Sequence, residues 1–231
     1  MGPTEQDREK QAAATHAVQG VREGMALALG SGSTVEMAAR ALAERFPRGT
    51  GLRLAVASEG MESRMRSLGL PLTPLSEIDR FDLMLDGADE VDPELDLLKG
   101  GGWALFREKL LARMSRSLEI MVDRSKLVDH IGRDHPLPLE IVPFARPYVL
   151  RELSRRGLEG HLRRRPDGTD RTDNGNEILD VKLPGPSLSL SALDQELRTV
   201  PGVVETGLFL GMAARVYVGL PSGKVEVRQR P

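Results

Sequence analysis

The segment LMLDGADEVD, Leu83 to Asp92, sets four carboxylates, Asp86, Asp89, Glu90 and Asp92, directly after an apolar run. Such side chains can move protons or hold a divalent cation. Two carboxylates held close compete for one proton, which suits proton transfer at sugar-type oxygens near neutral pH, and the tight DGAD turn is expected to bring Asp89 back toward Asp86. A calcium loop needs alternating oxygen ligands with glycine and glutamate at fixed places, and DGADEVDPELD lacks that register. The acids could instead coordinate Mg²⁺, but His16, His130, His135 and His161 show no ligand spacing, and with no cysteine in the chain thiolate metal sites are excluded. Glu90 and Asp92 are expected to be structural.

LLKGGGWALFREKLL follows, with Lys99, then Gly100, Gly101 and Gly102, and Glu108 at the start of an expected helix. Consecutive glycines let backbone N–H groups approach a ligand and donate to a developing oxyanion, beside the positive charge of Lys99 and the carboxylate of Glu108. In LALGSGSTVEMAA, Ser31, Gly32, Ser33 and Thr34 lie between an apolar run and a helical pattern, where free N–H groups and the helix dipole favour an anion. This is not a Walker A loop, since no Gly-Lys-Ser/Thr follows, and the dinucleotide fingerprint fails at Val35. A tight strand-to-helix turn and a site for the phosphate of a small metabolite are both consistent with it. MVDRSKL brings Asp123, Ser125 and Lys126 to the end of another apolar run, and Lys10 lies on the first expected helix as a further candidate cation.

The elements that must carry these residues alternate. Helices are expected over Glu9–Gln19 and Thr34–Phe46. Apolar strands are expected in MALALG, Leu52–Ser58, Phe81–Gly87 and Leu118–Asp123. Continuous apolar strands alternating with helices imply a parallel sheet covered on both faces, an α/β Rossmann-like domain whose ligands sit at the carboxyl edge of the strands. In HPLPLEIVPFARPYV, Pro136, Pro138, Pro143 and Pro147 suggest a crossing into a second domain. There a helix over Val149–Arg156, a strand in EILDVKL and a helix in LSALDQELRTV suggest a small α+β, ferredoxin-like lobe. The expected division is 1–131 with 205–231 for the Rossmann-like domain and 132–204 for the lobe, ETGLFLGMAARVYVGL returning to the first sheet.

Lys and Arg number 32 against 34 Asp and Glu, a net charge of −2, which provides no broad basic field for nucleic acid or an anionic membrane. Apolar runs are interrupted by charges and the polar start does not resemble a signal peptide, so a soluble, cytoplasmic protein is expected.

GSGST, DGADEVD, KGGGWALFREK, VDRSK, PLPLEIVPFA, TDNGNEILD and PGVVETGLF occur in the order and at the distances found in ribose-5-phosphate isomerases of the type A family, which this chain resembles from about Lys10 to Gly211. Trp103 stands where that family usually has a small residue, Phe106 where it usually has threonine, and Ser58-Glu59 where a hydroxyl-rich turn is usual. The resemblance implies reversible interconversion of D-ribose 5-phosphate and D-ribulose 5-phosphate through an enediolate, in the non-oxidative pentose phosphate pathway, without cofactor or metal. It further implies Glu108 as general base and Asp86 and Asp89 as proton handlers at the sugar oxygens. Lys99 with the N–H groups of Gly100 and Gly101 is implied as enediolate stabiliser, and Ser31, Gly32, Ser33, Thr34, Lys126 and Lys10 as phosphate ligands. A homodimer, or a dimer of dimers, is expected on the same ground. Two rivals are an amino-sugar phosphate deaminase of similar fold, whose histidine-bearing motif is not seen, and a non-enzymatic sugar-phosphate sensor, for which no DNA-binding module is visible. The basic run HLRRRPDG reads as a solvated loop.

Overall fold

The computed structural model describes residues 2–49, 51–185 and 189–230. In chain order the elements are α1 (Glu5–Val18), β1 (Ala26–Leu29), α2 (Ser33–Arg45), β2 (Arg53–Val56), α3 (Glu59–Ser67), β3 (Leu83–Asp86), β4 (Glu90–Val91), β5 (Leu97–Leu98), α4 (Leu105–Arg113) and β6 (Leu118–Asp123). They continue with β7 (Leu137–Ile141), α5 (Arg146–Arg155), β8 (Gly160–Leu162), β9 (Glu177–Val181), α6 (Leu190–Arg198), β10 (Val203–Thr206), β11 (Leu208–Phe209), β12 (Ala213–Gly219) and β13 (Val225–Gln229). Among the described residues no helix is long and apolar enough to cross a membrane.

Two compact units result: Met1–Ala88, Arg107–Lys126 and Gly211–Pro231 form the first, and Asp89–Phe106 with Leu127–Leu210 the second. The first is built on a six-stranded sheet in the order β13-β12-β6-β3-β1-β2. Its four pairings from β2 to β12 are parallel, and the last neighbour, β13, pairs antiparallel with β12. Strands β1, β3 and β6 are buried throughout, the signature of a sheet covered on both faces. Strand order reverses at β1, between β2 and β3, and such a reversal opens a crevice beyond the carboxyl ends of the strands.

Helix α1 starts earlier than its apolar pattern implies, at a capping box in which Thr4 and Asp7 satisfy each other's backbone N–H groups. Its buried stripe is Glu9, Ala13, Ala14, Ala17 and Val18. Small side chains let the helix lie close to the sheet: a Cβ at Gly219, the last residue of β12, would sit 1.8 Å from the Glu9 carbonyl oxygen. Met61, Met65, Leu42 and Leu54 belong to the same core.

In the second unit the chain order β7-α5-β8-β9-α6-β10 folds into an antiparallel sheet ordered β10-β7-β9-β8, the ferredoxin-like arrangement. Leu139, Ile141, Val149, Leu153, Leu179, Val181 and Leu197 fill its core. A three-stranded sheet, β11-β5-β4, accompanies it.

Three expectations need correction. The proline-rich segment is more than a crossing, because Leu137–Ile141 is an inner strand of the ferredoxin-like sheet. Pro138 is tolerated because its carbonyl accepts from Gly207 N–H on the β10 side, past the last β10 pairing at Leu139, so the missing donor lies off the β9 ladder. The compact units also depart from the expected division: residues 89–106 and 127–131 group with 132–204, since β4 and β5 pair with β11. The chain rejoins the first unit at Gly211 rather than 205 for the same reason, and its sheet at Ala213. Val225–Gln229, in KVEVRQRP, supplies the edge strand β13.

Candidate active site

The first unit places its candidate residues at the carboxyl edge of the sheet. Strand β1 ends at Leu29, and Gly30 to Gly32 lead directly into α2, whose N-terminal residues are Ser33 and Thr34. Gly32 caps the helix at φ +97°, a conformation that only glycine adopts without strain. No side chain caps this end, which makes its N–H groups and the positive end of the dipole a candidate anion site. Lys10 Nζ lies 3.3 Å from Ser33 Oγ, which places an α1 cation at the same helix end.

Asp86 closes the neighbouring strand β3. It is fully buried and accepts from Gly87 N–H at 2.7 Å. Gly30 is a glycine because of Asp86: a Cβ there would lie 1.8 Å from Oδ1. Glu108, in the first turn of α4 and 3% exposed, accepts a 2.7 Å hydrogen bond from Ser31 Oγ. The glycine-serine loop therefore holds this carboxylate directly. Ionisable groups are seldom this buried, which makes Asp86 and Glu108, at one edge of the sheet, site candidates on physical grounds.

Lys126 ends a 3₁₀ turn, Arg124–Lys126, that follows β6. That turn is tied to α1: Gln6 Nε2 donates to Asp123 Oδ2 at 3.2 Å, and Arg124 N–H to Glu9 Oε2 at 3.2 Å. Buried Glu9, absent from the residues that sequence spacing singled out, thus links the elements carrying Lys10 and Lys126.

In the second unit Asp89 precedes β4, and its Oδ2 accepts from Gly101 N–H at 2.8 Å. This corrects one expected role, since the Gly101 donor is engaged by Asp89 and so orients that carboxylate. A Cβ at Gly101 would meet Asp89 Oδ1 at 2.7 Å. Lys99, 3% exposed, follows β5; its N–H donates to Gly207 O at 2.9 Å and its Nζ lies 5.5 Å from the Phe209 ring centroid. A Cβ at Gly207 would come within 2.4 Å of the Lys99 carbonyl oxygen, so the PGVVETGLF segment sets the backbone of Lys99. Gly100 has φ +117°.

Glu90 is structural, its buried carboxylate receiving the N–H groups of Gly132, Asp134 and His135 at 2.6–2.8 Å. Asp92 likewise organises the β4–β5 turn through the N–H groups of Glu94 and Asp96. Among the described residues no group of three or more His, Cys, Asp or Glu is arranged to hold a metal ion.

A parallel sheet that reverses order beside an uncapped, hydroxyl-rich helix N-terminus, with buried carboxylates at the same edge, is the arrangement by which α/β proteins take small anionic metabolites. The chain belongs to the ribose 5-phosphate isomerase A (phosphoriboisomerase A) family, whose model matches residues 54–223. It is 45% identical over 230 residues to a ribose-5-phosphate isomerase A of Chloroflexus aurantiacus, covering 98% of this chain and 96% of that one. Its fold is similar to the ribose 5-phosphate isomerase A of Methanocaldococcus jannaschii (TM-score 0.89, 34% identity, 95% and 97% of the two chains). A D-ribose-5-phosphate isomerase in complex with phospho-erythronic acid is equally similar (TM-score 0.90, 35% identity, 96% and 97%).

Proposed function

We propose that the chain interconverts D-ribose 5-phosphate and D-ribulose 5-phosphate through an enediolate, in the non-oxidative branch of the pentose phosphate pathway. The observation that carries this reading is the buried Glu108 carboxylate held by Ser31, one residue before the loop enters the anion-binding end of α2. A base beside a phosphate site is what removal of a proton α to the carbonyl of a phosphorylated sugar requires. The family and the names of the relatives support the same reaction.

In this mechanism Gly32, Ser33 and Thr34 hold the phosphate through backbone N–H and hydroxyl groups, with Lys10 and Lys126 supplying charge. Glu108 takes the proton from C2 of the open-chain aldose and returns it to C1, while the hydroxyl proton passes from O2 to O1. Asp86 and Asp89 serve ring opening and these oxygen-to-oxygen transfers. Lys99 and the Gly100 N–H stabilise the enediolate oxygen, and Gly101 acts through Asp89. The chemistry needs a base, a charge-stabilised oxyanion and exclusion of water, and it proceeds in this proposal without metal or cofactor. A pure sensor has no need of a buried base. The protein is further proposed to act in the cytoplasm as a homodimer or a dimer of dimers.

Isomerisation in deuterated water tests the enediolate. Solvent deuterium is expected at C1 of part of the ribulose 5-phosphate formed, the rest keeping the proton that Glu108 carries over from C2, and a Glu108→Gln variant that incorporates deuterium as fast as the wild type would contradict proton transfer through Glu108.

A further inference from the structure

Arg163 stands in HLRRR, which as sequence reads as a solvated loop, yet its side chain is only 16% exposed. Its Nη1 donates to the Gly100 carbonyl at 2.6 Å, and its Nε to Asp180 Oδ2 at 2.9 Å, with a second contact from Nη2 to Asp180 Oδ1. Its guanidinium carbon lies 5.6 Å from the Trp103 ring centroid, and that of Arg165 lies 4.5 Å from the same centroid. The Gly100 carbonyl also accepts the Trp103 N–H at 3.2 Å. Gly100 and Trp103 both have positive φ, +117° and +67°, and a tryptophan in that region persists only where its surroundings hold it.

Asp180 lies on β9, opposite His161 of β8, and Arg163 N–H continues that ladder by donating to Ile178 O. The anchor is therefore part of a sheet, while the groups it grips belong to the loop that follows Lys99. A planar guanidinium grips a carboxylate with two parallel N–H groups while it also meets a carbonyl and an aromatic face, a geometry that an ammonium does not reproduce.

We propose that Arg163, braced by Asp180, is a positioning residue for the isomerisation. It fixes the Gly100 carbonyl and the Trp103 ring, and thereby the direction of the Gly100 and Gly101 peptides. The Gly101 N–H orients Asp89, and the Gly100 N–H is assigned to the enediolate oxygen. This rests on the proposed function, and Trp103 allows the two to be tested apart. It is the chain's one tryptophan, so intrinsic fluorescence reports on the loop without any turnover.

The test compares wild type, Arg163→Ala, Arg163→Lys, Asp180→Asn and the Arg163→Ala/Asp180→Asn double variant. Turnover is expressed per site titrated with phospho-erythronic acid, so that an unfolded fraction does not count. Arg163→Ala is expected to lower kcat about 10- to 100-fold, the scale for misplaced catalytic groups, and leave KM nearly unchanged. Arg163→Lys should recover only part of the loss. The double variant should be no worse than Arg163→Ala, because Asp180 acts through Arg163. Acrylamide should quench Trp103 more readily in Arg163→Ala and in Asp180→Asn. Unchanged quenching overturns the clamp, and increased quenching with unchanged kcat overturns its role in catalysis. A wild type that binds phospho-erythronic acid but does not isomerise ribose 5-phosphate overturns the proposed function and that catalytic role together, while the quenching comparison still decides the clamp.

Discussion

The hydroxyl of Ser31 reaches Glu108 across 77 positions of sequence, whereas Ser33, two residues on, opens α2 beside Lys10. In the proposed mechanism, base and phosphate site are thus set by one short loop. Lys10→Met should raise KM roughly tenfold with kcat nearly intact, because a contact to a phosphate that does not react is present in both ground and transition states. Ser33→Asp should weaken binding further by setting a carboxylate against the phosphate at the helix N-terminus. Steady-state kinetics of the two variants check both, and a fall in kcat at constant KM would move the phosphate elsewhere. The serines, glycines, carboxylates and lysines of the candidate site stood out in the sequence because their types carry chemistry in any context, and their roles remain those of the proposed mechanism. Arg163 was not, since a basic run looks solvated until the fold supplies Asp180 and the Gly100 carbonyl, the latter 63 positions away. Glu9 and Gly207 were missed for a related reason. One is a buried acid on an otherwise small-residue stripe, the other a glycine whose partner atom belongs to a distant backbone.

Among the elements, strand β5 and its partner β11 decide where Lys99 stands. Gly207→Ala should destabilise the protein by about 1–3 kcal/mol, as overpacking does, because the new methyl meets the Lys99 carbonyl oxygen at 2.4 Å and Pro138 Cδ at 2.6 Å. Chemical denaturation measures that loss, and kcat should fall in the fraction that remains folded. Asp92 in the β4–β5 turn offers a pH test. Burial, reinforced by the Asp96 and Glu94 carboxylates, pushes its carboxyl above the usual range although two N–H groups oppose the shift. The native state therefore binds this proton more tightly than the unfolded chain, and the contribution of Asp92 to stability declines as pH rises from about 4 through the raised native value. Asp92→Asn keeps an oxygen acceptor for both N–H groups and removes the charge. Its Tm should exceed that of wild type at pH 7, and the advantage should vanish near pH 3, below both values; a constant offset would contradict the linkage. The parallel strands and main helices were readable from apolar period and glycine turns. β4, β5 and β11 were not, because two-residue strands carry no period, and β7 was hidden by Pro138, whose harmless orientation only the sheet reveals.

At the scale of the molecule, the chain crosses between its two compact units repeatedly, so sequence position alone divides them poorly. A net charge of −2 supplies no general attraction for a sugar phosphate, which leaves binding to the local cations and N–H groups of the site. The central claim is a metal-free isomerase whose base is Glu108. The most direct measurement is conversion of ribose 5-phosphate to ribulose 5-phosphate by the purified protein in EDTA, with Glu108→Gln assayed in parallel and shown to be folded and to bind phospho-erythronic acid. Activity should survive chelation in the wild type and fall roughly 10²–10⁴-fold in the variant, the range for loss of a general base. Wild-type turnover abolished by EDTA and restored by a divalent cation, or undiminished turnover in Glu108→Gln, would contradict it.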